Sequence, residues 1–136
     1  MTDFKDSQGR IWTIKLTLGG VKRVMEKLGV NLLNLSQYAD SSDDSVTMKL
    51  INDDLFVGEI VATLVEEQAK AKGLDFLNEL DGETINAAQE AFLAEFAFFF
   101  KARKNQTAEA FVAEIQKARA AISTGATSVE SQGAQD

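Results

Sequence analysis

Hydrophobic and polar residues alternate first and then recur at helical spacing along this chain. In "RIWTIKLTL" Trp12, Ile14, Leu16 and Leu18 fall on one side and Thr13, Lys15 and Thr17 on the other, with Ile11 at the start. A period of two marks a half-buried strand. With "TDFKD" before it and "DSQG" between, the pattern predicts an antiparallel hairpin over about residues 2–18, Gly9 closing its turn in the left-handed conformation. Two strands alone are marginally stable, so the Trp12 face must lie on something else.

Period-3.6 patterns occupy the remainder. Val21, Val24, Met25 and Leu28 form the stripe of a short helix that Gly29 can end. "VNLLNLSQYA" reads as an apolar connector with a turn capped by Asn31, and "DSSDDS" at 40–45 as a polar loop capping a helix that starts near Val46. A helix-rich stretch then runs to Lys72 and stops at Gly73. Phe56, Val57, Ile60 and Leu64 form its stripe, while Leu55, Val61 and Val65 point elsewhere. A helix apolar on most sides is buried or shared between chains. Asp75 opens a helical turn, Asp81 caps a long helix from about 82 to 103, and Thr107 caps a last one to about 122 with Ala108, Phe111, Ile115, Ala118 and Ile122 in line.

The expected fold is therefore α+β and mostly α-helical. An N-terminal β-hairpin packs on or beside a bundle of about four to five helices. One globular domain covers 1–122, hairpin about 2–18 and helices about 20–122, and a disordered polar tail covers 123–136, where no stripe exists.

The stretch "EFAFFFKARK" at 95–104 holds four of the nine phenylalanines. At about 100° per residue, Ile85, Ala88, Phe92, Phe96 and Phe99 form the core line, with Leu93 and Phe100 on one flank. Phe98 lies about 120° away on the other side, level with Ala87, Ala91 and Ala94. Burying a phenylalanine is worth roughly 1.5–3 kcal/mol, so Phe98 should find cover. Small alanines beside it would let another helix approach. The last helix of this chain is the favoured cover, and another molecule is the alternative. "KARK" suits a helix C-terminus, whose dipole favours cations.

Composition narrows the chemistry. Histidine and cysteine are both absent, which removes the commonest general base, thiolate metal sites and serine–histidine triads. No enzyme activity and no cofactor are expected. Asp43 with Asp44, Asp53 with Asp54, and Glu66 with Glu67 are adjacent pairs that diverge on a helix, and "DSSDD" lacks the full calcium-loop pattern. The net charge of −7 is uneven: +3 over residues 1–29, −11 over 30–100 and near neutral beyond. An acidic middle repels phosphate backbones and anionic lipid, so neither nucleic acid nor a membrane is the expected partner. "MTDFKDSQGR" carries no leader pattern, and no apolar run reaches the ~18 residues of a membrane span. A soluble cytoplasmic protein is expected.

The hairpin "F-x-D-x-x-G-R-x-W", leading into "IKLT", "VKRV" and "LGVNLL" within residues 4–35, resembles the N-terminal region of small tail assembly chaperones of long-tailed bacteriophages. The resemblance covers about a quarter of the chain; beyond residue 35 only the helical, acidic layout agrees. It implies a non-enzymatic role in the host cytoplasm: holding the tape measure protein, helping to bring tail tube protein to it, and leaving before the particle is finished. Family members are often made also as a minor extended form by frameshifting. The family supplies no residue roles, so the expected partner-binding residues come from the helical pattern: Phe98, Ala87, Ala91, Ala94, Leu55, Val65, Leu32 and Leu33. Self-association into an oligomer is expected with them. The rival classes are a structural subunit of a phage particle, such as a connector or tail completion protein, and an acidic inhibitor of a nucleic-acid enzyme.

Overall fold

Thr2–Lys5 (β1) and Ile11–Ile14 (β2) pair antiparallel with Phe4 opposite Trp12, so the alternation of the sequence becomes a two-stranded ribbon. The computed structural model describes residues 1–33 and 46–134, with side chains over 1–33 and 49–121. Gly9 takes φ of 81°, and Phe4, Trp12, Ile14 and Leu16 are buried. Leu18 departs from the expected strand face. The Thr17 hydroxyl accepts the Gly20 N–H as an N-cap, so Leu18 opens helix α1 (Leu18–Leu28) and points to solvent. Gly29, at φ 71°, ends α1 in the left-handed conformation.

The helix-rich middle divides into α2 (Val46–Asn52), α3 (Asp54–Leu64) and α4 (Glu66–Lys72). Asp53 caps α3 by accepting the Phe56 N–H, and Gly73, at φ 70°, ends α4. Val65 joins α3 to α4 at a bend that no glycine or proline announces. Asp75 caps a 3₁₀ turn, Phe76–Glu79, through the Leu77 N–H. Asp81 caps the long helix α5 (Gly82–Ala102) through the Thr84 N–H. The last helix, α6, spans Gln106–Ala134 in its backbone. Its cap is Asn105, whose side chain accepts the Ala108 N–H, rather than Thr107. The loop expected at 40–45 and the side chains of the tail expected at 123–136 lie outside the described residues.

The molecule is α+β and mostly helical, as the patterns predict. Its core joins the hairpin face, α3 and the inner side of α5. Trp12 and Phe76 meet edge-on with ring centres 4.7 Å apart, seating the hairpin on the 3₁₀ turn. Phe92, Phe96 and Phe100 form a run of rings at 5.3 and 4.9 Å. Phe99, expected in that line, is only half-buried, whereas Leu93 and Phe100 on the flank are buried. The reason is α6. Asn86, Gln89 and Leu93 share a pocket with Gln116, Arg119 and Ala120, so α6 lies on that flank and extends the core around it. Val112, outside the expected stripe of α6, is fully buried for the same reason. Arg119 fastens the contact by donating to the Ile51 carbonyl, Asp54 and Asn86.

One edge of the ribbon is sealed by a side chain. Gln68 of α4 accepts the Thr13 N–H and donates to the Thr13 carbonyl, copying the two bonds of a third strand. Gln68→Ala is expected to cost about 1–2 kcal/mol, since it leaves a partly buried peptide group without its partners. Urea unfolding measures the loss, and faster exchange of the Thr13 amide locates it.

Candidate interaction surface

The motif residues of the hairpin converge on one carboxylate. Asp6 is buried, and its Oδ1 accepts the backbone N–H groups of Gln8 and Arg10 at 2.9 Å. Its Oδ2 accepts Arg10 Nε at 2.7 Å and Trp12 Nε1 at 3.0 Å. Burial alone would raise this carboxyl. The donors from Trp12, Arg10 and Gln8 together outweigh burial and lower the pKa to about 2. Arg10 continues to Glu79 on the 3₁₀ turn, and Asp6 holds Arg10 firmly protonated. Phe4 meets Phe76 edge-on at 6.1 Å. Phe4, Asp6, Gly9, Arg10 and Trp12 thus build a structural knot. Among the described residues no buried side-chain polar atom lacks a hydrogen bond.

A second buried carboxylate, Glu95 of α5, holds the open end of the hairpin by accepting from Thr2 Oγ1 and the Leu16 N–H. Thr84, near the start of α5, accepts the Ser7 N–H at the turn end. These bonds lay α5 along the hairpin, antiparallel to β1. Neither residue carries a signal in the sequence, because each partner is more than seventy positions away.

The expected partner-binding residues separate into three groups. Phe98 is 60% exposed and Leu55 66%. Ala94 is exposed as well, while Ala87 and Leu33 are half-buried. Leu32, Val65 and Ala91 are buried, and the expectation that they present surface is corrected. The Asn31 side chain accepts the Leu33 N–H in a tight turn, and Leu32 enters the core. Val65 sits at the inner side of the bend between α3 and α4. Ala91 lies beneath β1. The small residues therefore admit a strand of the same chain, where a second helix was expected.

Cover for Phe98 by the last helix is also corrected. Gln116, Arg119 and Ala120 of α6 lie on the Leu93 side of α5, about 140° around the helix from Phe98, which stays exposed. Ala87 and Ala94 line a groove beside β1, and Phe98 follows Ala94 by about one helical turn on the same face. Leu55 belongs to another place: it shares a groove with Gly58, Leu77, Leu80 and Ile85. A Cβ on Gly58 would lie 3.1 Å from Leu80 Cδ1, so glycine lets the 3₁₀ turn close against α3. Ile85 and Phe98 are roughly 20 Å apart along α5. They are two surfaces, not one.

The carboxylate pairs of the sequence have separate structural tasks. Asp53 caps α3 and Asp54 meets Arg119. Glu66 pairs with Lys27 at 3.0 Å, which lowers its pKa, and Glu67 pairs with Lys70. Asp43 and Asp44 lie outside the described residues. Among the described residues no group of three or more acidic side chains could hold a metal ion, and no helix is long and apolar enough to cross a membrane.

Comparisons with protein-family models, curated proteins and solved structures give no match. The geometry of these surfaces therefore carries the functional reading together with the hairpin motif.

Proposed function

We propose that this chain is a non-enzymatic holding protein of the phage tail assembly chaperone type. In that reading it binds and solubilises the tape measure protein in the host cytoplasm, helps recruit tail tube subunits, self-associates, and is absent from the finished particle. The observation that carries the proposal is Phe98, a large ring left 60% exposed at the end of an alanine strip on a net-acidic chain. A holding protein needs spare apolar surface for its client and charge for its own solubility. The resemblance of residues 4–35 supplies the client class.

The test is a pull-down with an N-terminally tagged chain expressed from its native locus, read by intact-mass spectrometry. Co-purification of a long helical protein, with a minor extended product of this chain, is the expected result. Recovery of the chain from finished particles would assign it to the structural subunits instead. Binding that collapses with added salt would favour the acidic inhibitor, since apolar capture is far less screened. Phe98→Glu is expected to leave the unfolding midpoint nearly unchanged and to weaken client capture by about tenfold or more, the equivalent of at least one lost apolar contact. If the substitution unfolds the domain, Phe98 belongs to the core and the surface is wrongly placed.

A further inference from the structure

The two edges of the hairpin are treated differently. The Asp6 N–H donates to the Arg10 carbonyl, which fixes 6 and 10 as a hydrogen-bonded pair. In an antiparallel ladder such pairs alternate with non-bonded ones. Phe4 with Trp12 and Thr2 with Ile14 are then bonded pairs, and Asp3 and Lys5 turn their N–H and C=O groups outward. On β2 the outward groups of Thr13 are taken by Gln68. On β1, no partner for the backbone of Asp3 or Lys5 exists among the described residues. Beside this edge runs an open groove lined by β1 and by Ala87, Glu90, Ala91 and Ala94 of α5. One wall offers hydrogen bonds, and the floor is shallow because three of its α5 side chains are the methyl groups of Ala87, Ala91 and Ala94, with the exposed Glu90 carboxylate beside them.

We propose that the free edge of β1 and the alanine strip of α5 form a docking site for an extended segment of a partner protein, which adds antiparallel to β1 as a third strand. This rests on the reading of the chain as a partner-binding protein and names the form in which a partner is held. Strand addition draws affinity from main-chain bonds and specificity from alternate side chains. Side chains of the incoming segment that point the same way as Phe4 meet the alanine floor, so they are small or branched aliphatics. Those that point outward stand opposite Asp3 and Lys5, both exposed. Cross-strand pairs of opposite charge are favourable and like charges are not. The segment therefore carries an acidic residue opposite Lys5 and, two positions later, a basic residue opposite Asp3. A second copy's folded hairpin fits less well, because its own α5 would occupy the space under the new strand.

The probe is a capped peptide of threonine, valine, glutamate, valine, lysine, valine and threonine, added to the full chain and followed by amide NMR. Expected are shifts confined to β1 and to the 87–98 side of α5, and about tenfold slower exchange of the Asp3 and Lys5 amides at saturation. N-methylation of the peptide at its glutamate and lysine removes the donors facing β1 and should abolish both effects. Exchanging that glutamate and lysine should weaken binding, and combining the exchanged peptide with Asp3→Lys and Lys5→Glu should restore it. Binding that survives N-methylation, or shifts centred on Leu55 and Leu77, would overturn the proposal. So would Asp3 and Lys5 amides already protected in the free chain and exposed on dilution, since a second copy would then hold the edge. A client captured in the pull-down while these amides stay unprotected refutes this docking mode and leaves the holding function standing.

Discussion

Asp6→Ala should destabilise the protein by about 3 kcal/mol, out of all proportion to a residue in a surface turn. The substitution strands the Trp12 indole N–H inside the core, and a buried donor without a partner costs about 1–3 kcal/mol. It also frees two backbone N–H groups of the turn and removes the charge that Arg10 faces. The pH dependence gives an independent measure of the same group. The folded carboxyl has a pKa of about 2 against an ordinary 3.8, so its contribution is fully present above the unfolded value and is lost as pH falls through about 2. Held at about 2 instead of 3.8, the carboxyl contributes roughly 2 kcal/mol through this linkage. Urea unfolding of the native chain at about pH 6 and about pH 2 should therefore differ by at least that much, with Glu66 and Asp81, also lowered, adding to the same trend. Asp6→Asn should narrow the gap. An unchanged gap would mean that Asp6 is not the group that titrates.

That prediction marks where sequence reading succeeds and where it stops. The D-x-x-G-R-x-W spacing gives a turn, because Asp6 and Gly9 have local reasons to be there. The same spacing does not say that Asp6 reaches Trp12, since that contact depends on how the ribbon is seated on Phe76. Caps and stops are local physics, and the two that differ from the pattern are local as well: the Thr17 hydroxyl turns the chain into α1 before the strand alternation can include Leu18, and Asn105, two residues before Thr107, caps α6. Gln89 and Glu95 are buried polar residues and Gln68 is a half-buried one, and each binds a backbone group far away in sequence: Leu50, Leu16 and Thr13. No window of the sequence contains both partners. The candidate surface shows the same division. Helical geometry separates Phe98 from the core line, but that a strand of the same chain lies over Ala91, one face of the same helix, is a tertiary fact. Val65 points away from the stripe of its helix and Leu32 belongs to an apolar connector, yet both are inside: Val65 at the junction of α3 and α4, Leu32 through the turn at Asn31.

The clearest test of that separation is a pair of identical substitutions two positions apart on α5. Phe96→Ala should cost about 3–5 kcal/mol, because removing a fully buried ring between Phe92 and Phe100 leaves a cavity that the surrounding core closes only in part. Phe98→Ala should change stability by no more than about 1 kcal/mol, since much of its ring already faces water. A protein of this size has about 5–15 kcal/mol in total, so the first variant should lose a large share of its folded population margin while the second melts like the native chain. Both are read from urea midpoints at equal slope. Equal losses would mean that α5 is rotated, so that Phe98 faces the interior. The alanine strip would then be turned away from β1, and with it the floor under the free edge. The expected asymmetry says instead that one helix carries two opposed apolar loads. One is spent on folding. The other stays in solvent, and in the proposed reading it is the surface offered to a partner, so "FAFFF" holds more phenylalanine than the core line alone uses.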